Sequence, residues 1–218
     1  MASQQSKLRV LVAVSGGGRS LENFLDRQDK EFFEIVGVIS SRPDCRGVDI
    51  AKSAHLPVLI CDFSPTRRSP KLVAEIEDFA TIHRANLVAL AGFLKPYPVS
   101  RAWERRVVNI HPALLPRHGG KGMYGMKVHE AVLAARESRS GATVHYVSDR
   151  YDEGPIIAQA SVLTDGIRDS AALAARVFEA ECDLYPRVLS GLACGSLPLS
   201  HGDVLKYEFG NIPRDSLH

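Results

Sequence analysis

Cysteine is scarce in this chain: four in 218 residues, Cys45, Cys61, Cys182 and Cys194, with no CxxC pair. That pattern argues against a disulfide framework. Met1–Lys7 is polar, with no apolar core of a leader peptide, so free thiols in a reducing cytoplasm are expected. Long hydrophobic runs are also missing. None approaches the roughly 20 apolar residues of a spanning helix. Nor does either sign of charge dominate. A formal net charge of +2 gives no reason to expect nucleic-acid or membrane binding, though it tolerates an anionic small substrate. HExxH and GxSxG do not occur, and His111, His118, His129 and His145 show no zincin spacing, so no metal is expected. No internal repeat, low-complexity tract or linker interrupts the chain, and residues 1–218 are expected to form one domain.

What remains is an ordinary globular composition, 45% hydrophobic and 24% charged, in which strand-like and helix-like stretches alternate. Leu8–Val14 is a nearly continuous apolar run, as a strand buried on both faces requires. Further strands are expected at Phe32–Ser40, Pro57–Ile60, Ala85–Gly92, Val107–Ile110, Gly141–Val147 and Ile156–Leu163. Helices are expected at Ser20–Asp26, Val48–His55, Lys71–Ala85, Ser100–Arg106, Lys127–Arg136 and Asp169–Leu189, and a small hairpin around Val204–Phe209. Leu72, Ile76, Phe79 and Ile82 form the apolar stripe of the third long segment. This order predicts an α/β fold, a central, mostly parallel, Rossmann-like sheet flanked by helices.

Two stretches suggest chemistry. After the first strand, Gly16, Gly17 and Gly18 make a tight turn into a helix, with Arg19 and Ser20 beside it. Strand, glycine turn and helix start aim backbone N–H groups at a phosphate, although a plain βα turn reads the same way. It is not the dinucleotide fingerprint, because Leu21 stands where the third glycine belongs. Farther on, VVNIHPALLP (Val107–Pro116) begins as a strand and places Asn109 and His111 two residues apart. Alternate residues of a strand share a face, so amide and imidazole lie side by side, and Pro112 keeps His111 extended. His145–Gly154 (HYVSDRYDEG) adds Asp149, Asp152 and Glu153. Imidazole, amide and carboxylate together can hold an oxyanion and move protons. The bland alternative is a set of core polar groups satisfied by backbone, and an Asp-Glu-Gly turn is common for local reasons alone.

NIHPALLP with its preceding strand, the stretch Gly120–Leu133, and GATVHYVSDRYDEGPIIAQ together resemble the folate-dependent formyltransferases, over about Leu8–Leu189. The SGGG opening and the short length are similar to the branch acting on glycinamide ribonucleotide. The resemblance implies transfer of a formyl group from 10-formyltetrahydrofolate to the amine of that ribonucleotide, in purine biosynthesis, without a covalent enzyme intermediate. Asn109 and His111 would hold the oxyanion. Asp152 would favour the imidazolium and relay a proton, and His145 would support them. Gly17, Gly18, Arg19 and Ser20 would take the phosphate and Glu181 the ribose. Phe93, Leu94, Lys95, Tyr97, Val147 and Asp149 would line the pterin slot. Residues from about 8 to 100 would form the phosphate-binding half and from about 101 to 195 the catalytic, folate-binding half, with 196–218 as a tail.

The sequence departs from that family in three places. GGGRS replaces a commoner GNGSN, Phe178 stands where a lysine is frequent, and Glu153 adds a negative charge beside Asp152. Arg19 is expected to compensate for the missing lysine, and Arg67 or Arg68 to match a further arginine. The implied partners are the two small molecules, and a homodimer is left open. A sugar-nucleotide formyltransferase, a formyltetrahydrofolate hydrolase and, from another class, a non-catalytic nucleotide-binding module are the rival readings. A methionyl-tRNA formyltransferase would need a further C-terminal domain.

Overall fold

A computed structural model describes residues 7–28, 32–63, 69–197 and, for the backbone alone, 205–208. Eight strands form one sheet: β1 (Leu8–Val14), β2 (Phe33–Ser40), β3 (Val58–Ile60), β4 (Leu87–Leu90), β5 (Val107–His111), β6 (Arg139–Tyr146), β7 (Ile156–Leu163) and β8 (Leu205–Glu208). Their order is β3-β2-β1-β4-β5-β6-β7-β8. The sheet is mostly parallel, as expected; β6 alone runs against its neighbours. Five helices, α1 (Arg19–Arg27), α2 (Arg46–Ser53), α3 (Pro70–Ile82), α4 (Met126–Ala134) and α5 (Ser170–Ala193), cover its faces. Ser100–Arg106 forms only a short 3₁₀ turn, Arg101–Trp103. No helix among the described residues is long and apolar enough to cross a membrane.

The two periodicities of the sequence account for the layers. Along β1, Val10, Val12 and Val14 face one core and Leu11 and Ala13 the other. The first core takes the apolar stripes of α1 and α5; Leu173, Val177, Ala180 and Leu184 are fully buried there. α3 covers the second with Leu72, Ile76 and Ala80. Ile82, expected on that stripe, is 72% exposed. It falls on the flank of the last turn, and Ala80 takes the buried position. Of the expected hairpin near Val204–Phe209, only Leu205–Glu208 lies among the described residues. Those four residues, β8, pair in parallel with β7, a long-range partner that a local turn pattern cannot reveal.

Pro186 lies inside α5 and has no N–H to give the Cys182 carbonyl four residues back. Asn23 of α1 fills that vacancy, donating from Nδ2 to the Cys182 oxygen at 2.9 Å. Arg27 and Asp183 reinforce the junction at 3.3 Å. The helix that follows the glycine turn is thereby docked on the helix that carries Phe178 and Glu181.

Candidate active site

The turn after β1 and the loops after β4 and β5 open at the carboxyl ends of parallel strands, where the strand order reverses around β1. Open α/β sheets bind ligands at such a point. A cleft of about 640 Å³ occupies it, bounded by Gly17–Ser20, the loop after β4, Asn109–Pro112, residues 120–126, the β6–β7 loop, and Phe178 and Glu181 of α5.

At one end, Gly18 caps α1 in the left-handed region, φ 70°, with no side chain capping the helix. Gly18 thus offers the first-turn N–H groups no side-chain acceptor of its own, which suits an anion. A Cβ on Gly18 would stand 2.7 Å from the Gly47 Cα, so only glycine allows α1 and α2 to start this close together. Arg19 is exposed and stacks its guanidinium 4.0 Å from the Phe178 ring centroid. The aromatic ring found in place of a lysine thus holds a cation supplied by α1. Glu181 lies below, part-buried; desolvation pushes its carboxyl up to about 7, with Arg19 opposing. Arg67 and Arg68 lie outside the described residues.

Toward the centre, β5 alternates. Val108 and Ile110 enter the larger core, while Asn109 and His111 face the opposite side. Across the antiparallel pairing Asn109 meets His145 and His111 meets Thr143. The β6–β7 loop folds back over this face, with Asp152 in the left-handed region, φ 57°. A Cβ on Gly154 would collide with the Tyr146 carbonyl, so the return of this loop requires glycine. Asp152 lies 3.4 Å from His111 Nδ1 and 3.6 Å from His145 Nε2, and accepts the Gly120 N–H at 2.9 Å. His145 donates from Nδ1 to the Tyr146 carbonyl at 2.9 Å, which leaves Nε2 as acceptor for the Asn109 amide at 3.2 Å. His111 donates from Nε2 to the His118 carbonyl at 2.8 Å.

Burial pushes the His111 imidazole below its ordinary value, although Asp152 and the His118 carbonyl pull upward. The imidazolium expected from the carboxylate alone is therefore opposed by a larger desolvation effect. For Asp152 the balance goes the other way. Burial alone would raise it, but the neighbouring imidazoles of His145 and His111 and the Gly120 N–H hold it below the usual carboxylate range.

Phe93, Leu94, Lys95, Tyr97 and Val147 line the cleft. Phe93 packs edge to face on both Phe63 and Tyr97, with centroids 4.7 and 6.0 Å apart, and the Phe63 and Tyr97 rings are tilted at 32°, which builds an aromatic wall beside the slot. Asp149 does not line it: the Ser148 hydroxyl bonds both the N–H and the carbonyl of Arg150, and this tight turn carries exposed Asp149 outward. Glu153 is exposed too and pairs with Arg150 at 3.2 Å, so its charge is directed away from Asp152.

Sequence reasoning missed the His118 carbonyl and the Gly120 N–H, backbone groups that no residue letter marks. It weighed His129 only as a metal ligand. That residue is buried, lines the cleft, and has an Nδ1 without a hydrogen-bond partner among the described residues. Burial and the neighbouring His111 both lower its pKa. Among the described residues no group of three or more His, Cys, Asp or Glu side chains could hold a metal ion.

Comparison with known proteins reaches the same region of the chain. The family model described as formyl transferase matches residues 8–189. A chloroplastic phosphoribosylglycinamide formyltransferase of Arabidopsis thaliana is 37% identical over 191 residues, 84% of this chain and 65% of its own length. The chain thus spans just under two thirds of that relative. The phosphoribosylglycinamide formyltransferase of Escherichia coli is 31% identical, covering 88% of this chain and 90% of its own. Among solved structures, the phosphoribosylglycinamide formyltransferase of Coxiella burnetii in complex with CHES superposes with a TM-score of 0.81 at 30% identity, covering 93% of this chain and all of the other.

Proposed function

Since the chain belongs to the formyl transferase family, we propose that it transfers the formyl group of 10-formyltetrahydrofolate to the amine of glycinamide ribonucleotide, a step of purine biosynthesis. The observation that carries this reading is the convergence of Asn109, His111 and Asp152 between an anion cradle and an aromatic slot, all within one cleft. A formyl carbon at their meeting point has a phosphate-bearing substrate on one side and a flat one on the other.

The amine attacks the formyl carbon and the C=O electron pair moves to oxygen. The Asn109 amide carries two hydrogens and the His145 bond uses one, so the second is directed to this oxyanion. His111, held by its Nε2–H on the His118 carbonyl, donates to the same oxyanion from Nδ1 when it carries its second proton, beside the Asp152 carboxylate. Collapse of the intermediate breaks the bond to the folate nitrogen. The proton lost by the amine reaches that nitrogen through Asp152 and water. A carboxyl held below its usual range stays ionised and accepts that proton only in transit. Arg19, stacked on Phe178, takes the phosphate with the Gly17–Ser20 turn, and Glu181 the ribose. The two small molecules are the partners in this reading, and the four free cysteines support its placement in the cytoplasm.

The test is an assay of purified protein with both substrates, following tetrahydrofolate release. Release that requires glycinamide ribonucleotide is expected. Release only with another amine or a sugar-nucleotide acceptor refutes the acceptor assignment. Consumption of the folate with no acceptor makes the protein a hydrolase, and no consumption under any condition leaves a nucleotide-binding module.

A further inference from the structure

One buried polar residue facing the cleft's frame has no place in this chemistry. Thr143 is fully buried, next to His111 in the β5–β6 pairing and to Gln159 in the β6–β7 pairing. Its hydroxyl donates to the Ala113 carbonyl at 2.6 Å and accepts from the Leu115 N–H at 3.1 Å and from Gln159 Nε2 at 2.9 Å. Gln159 Nε2 also donates to the Leu115 carbonyl at 3.0 Å. A threonine oxygen has one donor and two acceptor sites, and all three are used.

We propose that Thr143, seated by Gln159, is a positioning residue that sets the orientation of the His111 ring and the Asp152 carboxylate through the backbone of residues 113–120. Beyond His111 the polypeptide leaves the sheet, and Thr143 and Gln159 hold both peptide groups of Leu115. The Leu115 side chain lies against the face of Gly119, where an added Cβ would strike its Cδ2 and would also come within 3.3 Å of the Asp152 Cβ. Gly119 joins the two groups that matter: the His118 carbonyl that orients His111 Nε2, and the Gly120 N–H that orients Asp152. A displacement at Leu115 therefore moves both catalytic groups together. A misplacement of about 1 Å can cost roughly a hundredfold in rate.

This inference rests on the proposed reaction for its kinetic arm only. Thr143→Val keeps the shape and removes three hydrogen bonds; Thr143→Ser keeps the hydroxyl. For the valine variant, kcat is expected to fall about tenfold or more with both KM values within about twofold, a transition-state loss. Titration of the ligand-free protein by NMR gives the second readout. Loss of the His118 carbonyl should move His111 further down, and loss of the Gly120 N–H should move Asp152 up. The other groups facing His111, namely His145, His118 and His129, are unchanged in every variant. Thr143→Ser should restore rate and titration together.

A valine variant with lowered thermal stability but wild-type kcat and titration would reduce Thr143 to a packing residue. Failure of serine to restore them would have the same force. If the valine variant does not fold, Gly119→Ala reaches the same segment without touching Thr143: the same paired loss is expected, and an unchanged kcat and titration overturn the idea. Wild-type protein that transfers no formyl group refutes the assigned reaction instead, while the NMR arm still reads Thr143.

Discussion

At the Gly17–Ser20 end of the cleft the polar groups are backbone N–H donors without a side-chain cap and an exposed guanidinium. At the other end, Asn109, His111, His145 and Asp152 each already hold protein partners, and all but Asn109 are nearly withdrawn from water. The first arrangement is open because its ligand brings the counter-charge. The second is closed because reacting groups must be aimed before the substrate arrives, and a buried group that lacked partners would cost about 1–3 kcal/mol. Binding and chemistry thus make opposite demands on polar groups only a few residues' width apart.

The sharpest way to break this contrast is to remove a group from the closed end. Asp152→Asn or His111→Ala should each lower kcat by about 10²–10⁴-fold, with KM little changed. Steady-state kinetics that show near-wild-type turnover in both would dissolve the distinction. At the open end Arg19→Ala should raise KM for the ribonucleotide by about 10–100-fold, the worth of a hydrogen bond to a charged group, and spare kcat. A fall in kcat with constant KM would place Arg19 with the chemistry.

Smaller effects test the scaffold between the ends. Asn23→Ala leaves the Cys182 carbonyl without its donor and should cost about 1–3 kcal/mol in chemical denaturation. In a Pro186→Ala background, where a backbone N–H is restored, the penalty should shrink. Equal penalties in both backgrounds would disprove the pairing of the two residues.

Glu181 supplies the gentlest probe. Its folded value of about 7 lies above the unfolded value of about 4.3, so the folded state retains a proton between them, and the group loses stability as pH rises through that window. His111 and Asp152 have the opposite sign. Both are lowered, so their effect is lost stability as pH falls, below about 6.5 for the imidazole and below about 4 for the carboxyl. Glu181→Gln should therefore raise the thermal midpoint more at about pH 8 than at about pH 5. An equal change at both would mean that Glu181 is not raised.

Much of this was legible locally. Leu8–Ser20 and Val107–Pro112 are short runs whose periodicity and turn residues determine their own geometry, and both stand where expected. Asp152 carried no local signal beyond a turn, and only resemblance picked it out. Failures arose where a distant partner decides. Ile82 follows the helical spacing yet lies off the covered face. β8 pairs with a strand more than 40 residues away, Asp149 is turned outward by its neighbour's hydroxyl, and the groups that aim His111 and Asp152 are peptide atoms.

Among the described strands β6 alone runs in the reversed direction, and so the chain leaving Tyr146 starts from the far end of β5 and must retrace its path to bring Asp152 over His111. The carboxylate's address is thus measured in residues from that departure point. Substitution at Glu153, an exposed position of this return path, can be absorbed. A one-residue insertion or deletion cannot, because it shifts the carboxylate along the path with no ladder to correct it. Variation in this segment is therefore expected in composition and forbidden in length.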